Sequence, residues 1–459
     1  MCRTRPIIVV FLAVKLLAGC SGREPEQAPL AGRGPQADLA FFNGRIYTGD
    51  ARKPWVEAIA VREGRILALG RSDEIEPMTR GGARLVDLEG RMAMPGIVDS
   101  HVHPVWGAIE ALYRCNFAPD VSPGELQSVL QACAAGLPEG AWLQGGRWGS
   151  DFIARHAIVS PRAFLDAAVG GRPVLLTDDS GHNAWANSVA LAALGIHRET
   201  PDPAGGRISR DAGGEPDGIL LETAAVAVDA AAPSPAPAEL ERAVRHALAT
   251  LRAFGITGIR DASVNPAIAS AWGAVARVEP LGMHVDLALE TPYGRREAAL
   301  SAEALAAFVA ARESEARGTL HLDSVKFYLD GVPTAARSAA MLEPYQPDAA
   351  YPEPGTGELH LSANVLAQDL AAIARRGFRA KLHTAGDRAV RVALDAIAAA
   401  REAPDVPGGV HAELAHAGFI DPQDLPRFAA LGATADLSPV LWFPSPIIDS
   451  VQGALGERG

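Results

Sequence analysis

"GIVDSHVHP", residues 96–104, places two histidines two positions apart at the end of a short run of β-forming residues. Alternate residues of a strand point to the same side, so His101 and His103 share one face. Taken singly, either histidine is more often a hydrogen-bonded core residue. Imidazole is, however, the commonest metal ligand in proteins. The spacing therefore predicts a pair of metal ligands at the carboxyl end of a strand.

Six further β-rich segments follow, and Ala-rich stretches with helical spacing separate most of them. The seven segments cover residues 96–103, 255–262, 284–290, 323–331, 378–386, 410–418 and 432–440. Strands that alternate with helices form parallel sheets. The pattern predicts an α/β chain with a TIM-like (β/α)₈ barrel, of which about seven strands are present and the eighth is missing. We place the barrel at 95–459, with an insertion at about 105–240, after a small β-sandwich domain at 38–94.

Two more histidines end later strands of this predicted barrel. His383 lies in "KLHTAGD" and His416 in "ELAHAGF", each before small residues that open a loop. The active sites of such barrels gather at the carboxyl ends of the strands. Four of the 12 histidines therefore lie where this fold keeps its chemistry, and packing does not readily explain that.

A lysine occupies the middle of the fourth predicted strand, "DSVKFYLDG", in a chain whose basic residues are nearly all arginine. By alternation, Val325 and Phe327 face the surrounding helices, whereas Lys326, Tyr328 and Asp330 face the barrel interior. A buried lysine is ordinarily paired, so an ion pair with an acid such as Asp330 is one interpretation. The other is a functional lysine.

The composition excludes some partners. The chain has 459 residues, 48% of them hydrophobic, which is enough for a large core. Its formal charge of -12 and pI near 5.5 argue against nucleic acid and anionic lipid as electrostatic partners.

The N-terminus reads as an export signal. Two arginines precede a short apolar run, and "LLAGC" ends at Cys20, which resembles a bacterial lipoprotein signal. An ordinary cleaved signal is the alternative. We therefore expect a signal peptide at 1–20, a Pro/Gly-rich tether at 21–37 and a protein lipid-anchored in the cell envelope, on the outer membrane in a Gram-negative host. The spacing of Cys115 and Cys133 does not reveal whether they pair.

Several segments together resemble the amidohydrolase superfamily, in particular its long, broad-specificity branch that includes N-substituted formamide deformylases. They are "MPGIVDSHVHP", "GAWLQGGRWGSD", "DDSGHNAWANS", "GEPDGILLE", "KFYLDG", "HTAGDRA" and "HAGF". The resemblance implies a hydrolase that cleaves a non-peptide C–N bond of a small amide or formamide with a metal-activated hydroxide. It also implies one or two divalent ions, zinc in our interpretation, bound by His101, His103, Lys326, His383 and His416. Lys326 would be carboxylated to a carbamate that bridges the metals.

Four residues are candidates for substrate binding. His182 belongs to the insertion and could reach the mouth of the barrel, although capping a loop is equally compatible with its sequence context. Tyr328 and Asp330 face inward. Asp387 would most simply cap the N-terminus of the helix beginning near Arg388, and its family position also fits a contact near the site.

The sequence departs from the family pattern after the seventh strand. In the family, the residue that transfers the proton is an aspartate on an eighth strand, and no such strand follows here. Asp436 and Asp449 do not match its motif, so the catalytic acid/base stays unassigned. We expect a C-terminally truncated family member, and an impaired fragment or a non-catalytic binding lipoprotein is the alternative to an active enzyme.

Replacing Cys20 by alanine should release the protein from the membrane fraction or block its processing, because this cysteine is the expected lipid attachment site. Fractionation and labelling with radioactive palmitate test this, and only the parent should carry label. Unchanged fractionation without label in the parent would contradict the anchor.

Overall fold

The computed structural model describes residues 35–459 apart from positions 293, 294, 296, 349, 350, 404, 407 and 408. The signal peptide, Cys20 and most of the tether lie outside the described residues. In the described part of the chain, no helix is both long and apolar enough to cross a membrane. The described residues divide into two compact units, one that ends at Pro95 and one that begins at Gly96.

The first unit contains two small sheets. Its strands are β1 (Leu39–Phe42), β2 (Arg45–Tyr47), β3 (Trp55–Val56), β4 (Ala58–Arg62), β5 (Arg65–Gly70), β6 (Arg84–Asp87) and β7 (Met92–Ala93), and its helices are α1 (Ser72–Ile75) and a 3₁₀ turn at Glu76–Thr79. One sheet has the order β5-β4-β1-β6 and the other β3-β2-β7. Alternation buries Ala40, Ala58 and Ala60 on one face, where Ile75 of α1 covers them.

The second unit opens with β8 (Ile97–Val102) and α2 (Pro104–Tyr113), and a large insertion follows. The insertion contains β9 (Cys115–Asn116), α3 (Pro123–Ala135), β10 (Leu143–Trp148), α4 (Phe152–Arg155), α5 (Pro161–Ala168), β11 (Val174–Asp178), β12 (Asn183–Ala186), α6 (Ser188–Ala193), β13 (Gly206–Arg210), β14 (Pro216–Glu222) and α7 (Thr223–Ala231). Its strands form one sheet in the order β13-β14-β12-β11-β10-β9. A disulfide joins Cys115 of β9 to Cys133 of α3, which answers the question that their spacing left open.

The rest of the second unit alternates helices and strands. They are α8 (Pro237–Ala253), β15 (Ile256–Val264), α9 (Pro266–Val278), β16 (His284–Glu290), α10 (Ala302–Glu315), β17 (Leu320–Tyr328), α11 (Ala363–Ala374), β18 (Arg379–Thr384), α12 (Asp387–Arg401), β19 (Ala412–His416), α13 (Leu425–Leu431), β20 (Thr434–Leu437) and α14 (Pro446–Leu455), with 3₁₀ turns at Pro439–Trp442 and Gly456–Arg458.

These strands and β8 form a nearly closed barrel. Its seven strands run in the order β20-β19-β18-β17-β16-β15-β8, and every neighbouring pair is parallel. The predicted TIM-like barrel, with the seven segments that the sequence indicates, is therefore confirmed. Among the described residues, no backbone pairing joins β8 to β20.

The fourth barrel strand, β17, alternates as its sequence indicates. Val325, Phe327 and Leu329 are fully buried in the large apolar core that the helices cover. Lys326 and Tyr328 lie on the opposite side, and the Lys326 ammonium is 5.0 Å from the centre of the Tyr328 ring. The lysine therefore points into the barrel.

A chain of ion pairs fills the lower interior of the barrel. The Arg260 guanidinium of β15 binds Asp286 of β16, with 2.7 Å between Nε and Oδ2, and also binds Glu413 of β19. Lys381 of β18 continues the chain, because its Nζ lies 3.1 Å from Glu413 Oε2 and also binds Asp436 of β20. Charges in a barrel interior are tolerated because each one is paired.

Asp436 spans the gap between the first and seventh strands. Its Oδ1 accepts a hydrogen bond from Ser100 Oγ at 2.6 Å, and its Oδ2 lies 3.1 Å from His101 Nδ1. Lys381 adds a third link, since its Nζ donates to the Ser100 carbonyl at 2.7 Å. Side chains rather than backbone pairing therefore connect the two edges.

Lys381→Met should lower the free energy of unfolding by about 3 to 5 kcal/mol, because it leaves the buried Asp436 carboxylate without its cation, whereas Glu413 keeps Arg260. Lys53→Met is the matched control, since Lys53 is exposed and its ammonium donates to the Leu69 carbonyl at 2.9 Å. Urea titration of both variants measures the difference. Equal stabilities would show that the interior ion pairs contribute little.

Candidate active site at the barrel mouth

Four histidines that the sequence suggests as metal ligands form one continuous cluster. The ring centres of His101 and His103 are 5.4 Å apart, those of His101 and His416 4.6 Å, and those of His383 and His416 4.7 Å. His101 lies on β8, His383 on β18 and His416 on β19, and His103 directly follows β8. The structure thus brings together residues up to 315 positions apart, from His101 to His416.

Three of these imidazoles each have one ring nitrogen in a hydrogen bond that fixes the ring. His101 Nδ1 donates to Asp436 Oδ2 at 3.1 Å, and His383 Nε2 donates to the Gly331 carbonyl at 3.1 Å. His416 Nδ1 lies 3.0 Å from Ser438 Oγ. The opposite nitrogen of His101, Nε2, is buried and has no hydrogen-bond partner in the described part of the chain. Outer hydrogen bonds of this kind fix the orientation and the tautomer of metal-binding histidines.

The backbone of His416 turns its side chain into the cluster. Its φ is 70° and that of Ala417 is 42°, a left-handed conformation that residues other than glycine seldom adopt. Strict alternation along β19 would put His416 on the same side as Leu414, which packs in the helix-covered core. Strain of this kind concentrates at functional sites. The motif "HAGF" gives no sign of it.

Lys326 lies beside this cluster and is almost fully buried. Burial, and to a smaller extent the positive charge of Lys381, lower the pKa of its ammonium to about 7. No hydrogen bond or ion pair of the described residues reaches its Nζ. Asp330 is not its partner, because the Asp330 carboxylate accepts hydrogen bonds from the backbone amides of Ala340, Ala385 and Gly386. The ion-pair interpretation with Asp330 is therefore wrong.

His182 reaches the cluster from the insertion. The centre of its ring is 5.1 Å from that of His383, and its Nδ1 donates to Glu222 Oε2 at 2.9 Å. Burial alone would lower the pKa of His182, but the Glu222 carboxylate outweighs it and raises that pKa above its usual value. The loop-capping interpretation does not account for this pairing.

Glu222 is a site residue that sequence reasoning missed, although it ends the quoted segment "GEPDGILLE". Its second oxygen accepts a hydrogen bond from Ser338 Oγ, and its backbone has a φ of 52°. Gly331 makes room for it, since a Cβ at that position would lie 2.2 Å from Glu222 Oε1. The carboxylate thus ties the insertion to the loop after β17.

The remaining suggested substrate residues differ in placement. Tyr328 lies in the cluster, with its ring centre 5.7 Å from that of His383 and its hydroxyl donating to Ser263 Oγ at 2.8 Å. Asp387 is the first residue of α12, and Gly386 is the N-cap, so the capping role predicted for Asp387 is wrong. Its Oδ1 accepts the backbone amide of Leu342 at 2.7 Å and that of Arg388, in the first turn of α12, at 2.9 Å. Substrate contacts of Asp330 and Asp387 stay predictions.

Comparison with known proteins decides the family. A model of the amidohydrolase family matches residues 84–458. This chain belongs to the amidohydrolase family. The predicted family and the prediction of a hydrolase are thereby confirmed.

Two curated relatives match most of this amidohydrolase. The exoenzymes regulatory protein AepA of Pectobacterium carotovorum subsp. carotovorum is 30% identical over 404 residues, which is 86% of this chain and 83% of that protein. The N-substituted formamide deformylase of Arthrobacter pascens is 28% identical over 422 residues, 88% of this chain and 73% of that protein.

A solved structure supports the fold. The crystal structure of an uncharacterised metal-dependent hydrolase from Pyrococcus horikoshii superposes with a TM-score of 0.67 at 22% identity, covering 92% of this chain and 78% of that one. At this identity the likeness concerns the fold alone.

The donors of this amidohydrolase fit a divalent metal ion in their chemistry. Burial lowers the pKa of His101, His383 and His416, which keeps these rings in the neutral form that binds metal. Among the described residues, no three His, Cys, Asp or Glu side chains already converge on one point closely enough to hold an ion. A complete set of ligands therefore needs a turn of the rings or a further donor such as Lys326.

The metal-free amidohydrolase should lose stability as the pH falls from 7.5 to 5.5, in part because of His416. Its folded-state pKa is below the unfolded value of about 6.5, so below that pH only the unfolded chain takes up the proton. His416→Gln should therefore lose about 1 kcal/mol less than the parent over this range.

Urea titrations at both pH values measure this difference, and subtraction cancels the contribution of the other titrating groups. His246→Gln, an exposed position on α8, is the matched control and should behave as the parent does. An identical loss in parent and His416→Gln would show that the folded protein protonates this ring as readily as the unfolded chain does.

Proposed function

We propose that this amidohydrolase hydrolyses the C–N bond of a small non-peptide amide or formamide with the help of divalent metal ions. The observation that carries the proposal is the set of three imidazoles, each fixed through one ring nitrogen, around a buried lysine that has no ion pair in the described residues. The 28% identity to an N-substituted formamide deformylase supports the choice of bond.

His101, His103, His383 and His416 would hold the metal, together with Lys326 as a carbamate. Zinc suits this set, because it prefers nitrogen and carboxylate-type oxygen ligands. Divalent ions supply two effects when bound, a lower pKa of water, near 7, and polarisation of a carbonyl oxygen. We assign no side chain to the proton transfer onto the leaving nitrogen.

The surroundings of Lys326 favour its carboxylation. An unprotonated amine attacks CO₂, which forms an N–C bond and releases a proton, and the product is an anionic carbamate with two oxygens. A pKa of about 7 leaves much of the amine unprotonated at neutral pH. Arginine could not take this role, because its guanidinium stays charged.

His182 and Tyr328 are the side chains best placed to contact the substrate. His182 Nδ1 is bonded to Glu222, which leaves its Nε2 to bind a substrate next to His383. Tyr328 forms part of the wall between Lys326 and His383. The bond to Glu222 fixes the orientation of the His182 ring. A binding side chain is more precisely placed when a second residue holds it, so this bond favours a binding role for His182.

We further propose that the protein works in the cell envelope, attached by a lipid at Cys20, with a small-molecule substrate as its partner. The lipoprotein-like sequence that ends at Cys20 supports this location. The disulfide between Cys115 and Cys133 also supports it, because such bonds persist in oxidising compartments.

Purified protein should contain about one to two equivalents of zinc, manganese or iron by elemental analysis. His101→Ala/His103→Ala and Lys326→Ala should each lose most of that metal, since they remove ligands. Lys326→Arg should not recover it, whereas short-chain carboxylates added to Lys326→Ala should restore part of it by supplying a pair of oxygens.

His197→Ala/His246→Ala is the matched control, because both of these histidines are exposed and lie outside the cluster. Turnover of N-substituted formamides should follow the metal content across the series. Equal, near-zero metal in parent and variants would refute the proposed metal site and favour a non-catalytic binding protein.

A further inference from the structure

Asp261, on the second barrel strand β15, has a buried carboxylate oxygen without a partner. The residue has no exposed surface, and its Oδ2 accepts a hydrogen bond from Trp272 Nε1 at 3.2 Å. Its Oδ1 is buried and makes no hydrogen bond to any described residue. His103 Nδ1 lies 3.9 Å from this oxygen, just beyond hydrogen-bond reach.

An unpartnered buried carboxylate oxygen is costly. Burying a polar atom without a hydrogen bond costs about 1 to 3 kcal/mol in proteins, and more for a charged group. Native proteins satisfy nearly all such atoms, so each exception calls for an explanation. The backbone of Asp261 pairs with Val102 of β8, which lies between the two histidines of "HVH". The nearby His103 is therefore the expected partner of this oxygen.

The other histidine of the pair already has a carboxylate behind it. Asp436 lies 3.1 Å from His101 Nδ1, and only 8% of the His101 side chain is exposed. The His103 side chain is 41% exposed. The ring of His101 is therefore fixed by a carboxylate. The ring of His103 lies next to the Asp261 carboxylate but is too far from it for a hydrogen bond.

We propose that Asp261 is the positioning residue for His103. Its Oδ1 accepts the Nδ1 hydrogen of His103, which places the ring proton on Nδ1 and leaves the Nε2 lone pair for a metal ligand bond. Closing the gap needs a movement of about 1 Å, to a normal hydrogen-bond length. The inference rests on the proposed function, in which His103 is a metal ligand.

Trp272 determines which carboxylate oxygen faces His103. Trp272 lies on α9 with its indole fully buried in the core, and the indole N–H can only donate. In Asp261→Asn, the amide oxygen must therefore face Trp272, and the NH₂ group faces His103. That group donates to Nδ1, so the ring proton moves to Nε2 and blocks the nitrogen that should bind metal.

The test measures two quantities on the full chain. Zinc affinity, from competition with a coloured chelator, should be about 10- to 100-fold weaker in Asp261→Asn than in the parent. The tautomer of His103, from nitrogen chemical shifts of histidine-labelled metal-free protein, should favour the Nδ1 hydrogen in the parent and the Nε2 hydrogen in the variant.

Two further variants separate positioning from packing. Trp272→Phe removes the indole donor but leaves Asp261 intact, so it should keep an affinity close to that of the parent. Trp272→Phe/Asp261→Asn lets the amide turn its oxygen to His103 and should recover part of the affinity. Asp369→Asn controls for loss of a buried carboxylate away from the site, where Asp369 binds Arg295 at 2.7 Å.

Unchanged zinc affinity in Asp261→Asn, or the same His103 tautomer in parent and variant, would overturn the proposal. If Asp261→Asn does not fold, the metal-free parent is sufficient for the test, because an Nε2 hydrogen on its His103 would overturn the proposal. A parent that binds no zinc would refute the proposed function, and the tautomer would still decide the role of Asp261.

Discussion

One buried carboxylate, that of Asp436, links the architecture of the barrel to its candidate site. It bonds Ser100 and His101 of the first strand from its place on the seventh, and Lys381 neutralises it. The two edge strands make no backbone pairing with each other in the described residues, so this junction substitutes for a ladder of hydrogen bonds. The same contact fixes the ring of His101. Stability and the geometry of one predicted ligand therefore depend on a single side chain.

The sequence was sufficient for the barrel and for the side of β17 that faces inward. Both follow from local periodicity, and period-two alternation placed Lys326 inside and Phe327 among the helices, as observed. The clustering of His101, His383 and His416 was also predictable, because parallel strands bring their carboxyl ends to one mouth. These features can be predicted without knowing which distant residues are in contact.

Pairings between distant residues could not be predicted. His101 and Asp436 are 335 positions apart, and Glu222 and Ser338 are 116 apart, so no local pattern links them. The left-handed turn at His416 was also invisible, since nothing in "HAGF" distinguishes it from regular strand. Asp387 was misread for a different reason, because aspartate suits both a helix cap and the first helical turn, and only the backbone conformation of Gly386 shows that the helix begins at Asp387.

The bond between Cys115 and Cys133 has a consequence for how this enzyme is made in the laboratory. It closes a loop of 18 residues at the base of the insertion that carries His182 and Glu222, a restraint worth about 3 kcal/mol in the chain-entropy model. A bacterial cytoplasm would leave both thiols reduced, while the barrel strands, which contain no cysteine, would assemble as before. Recombinant material from that compartment should therefore look well folded by circular dichroism and still hold His182 loosely against the histidine cluster.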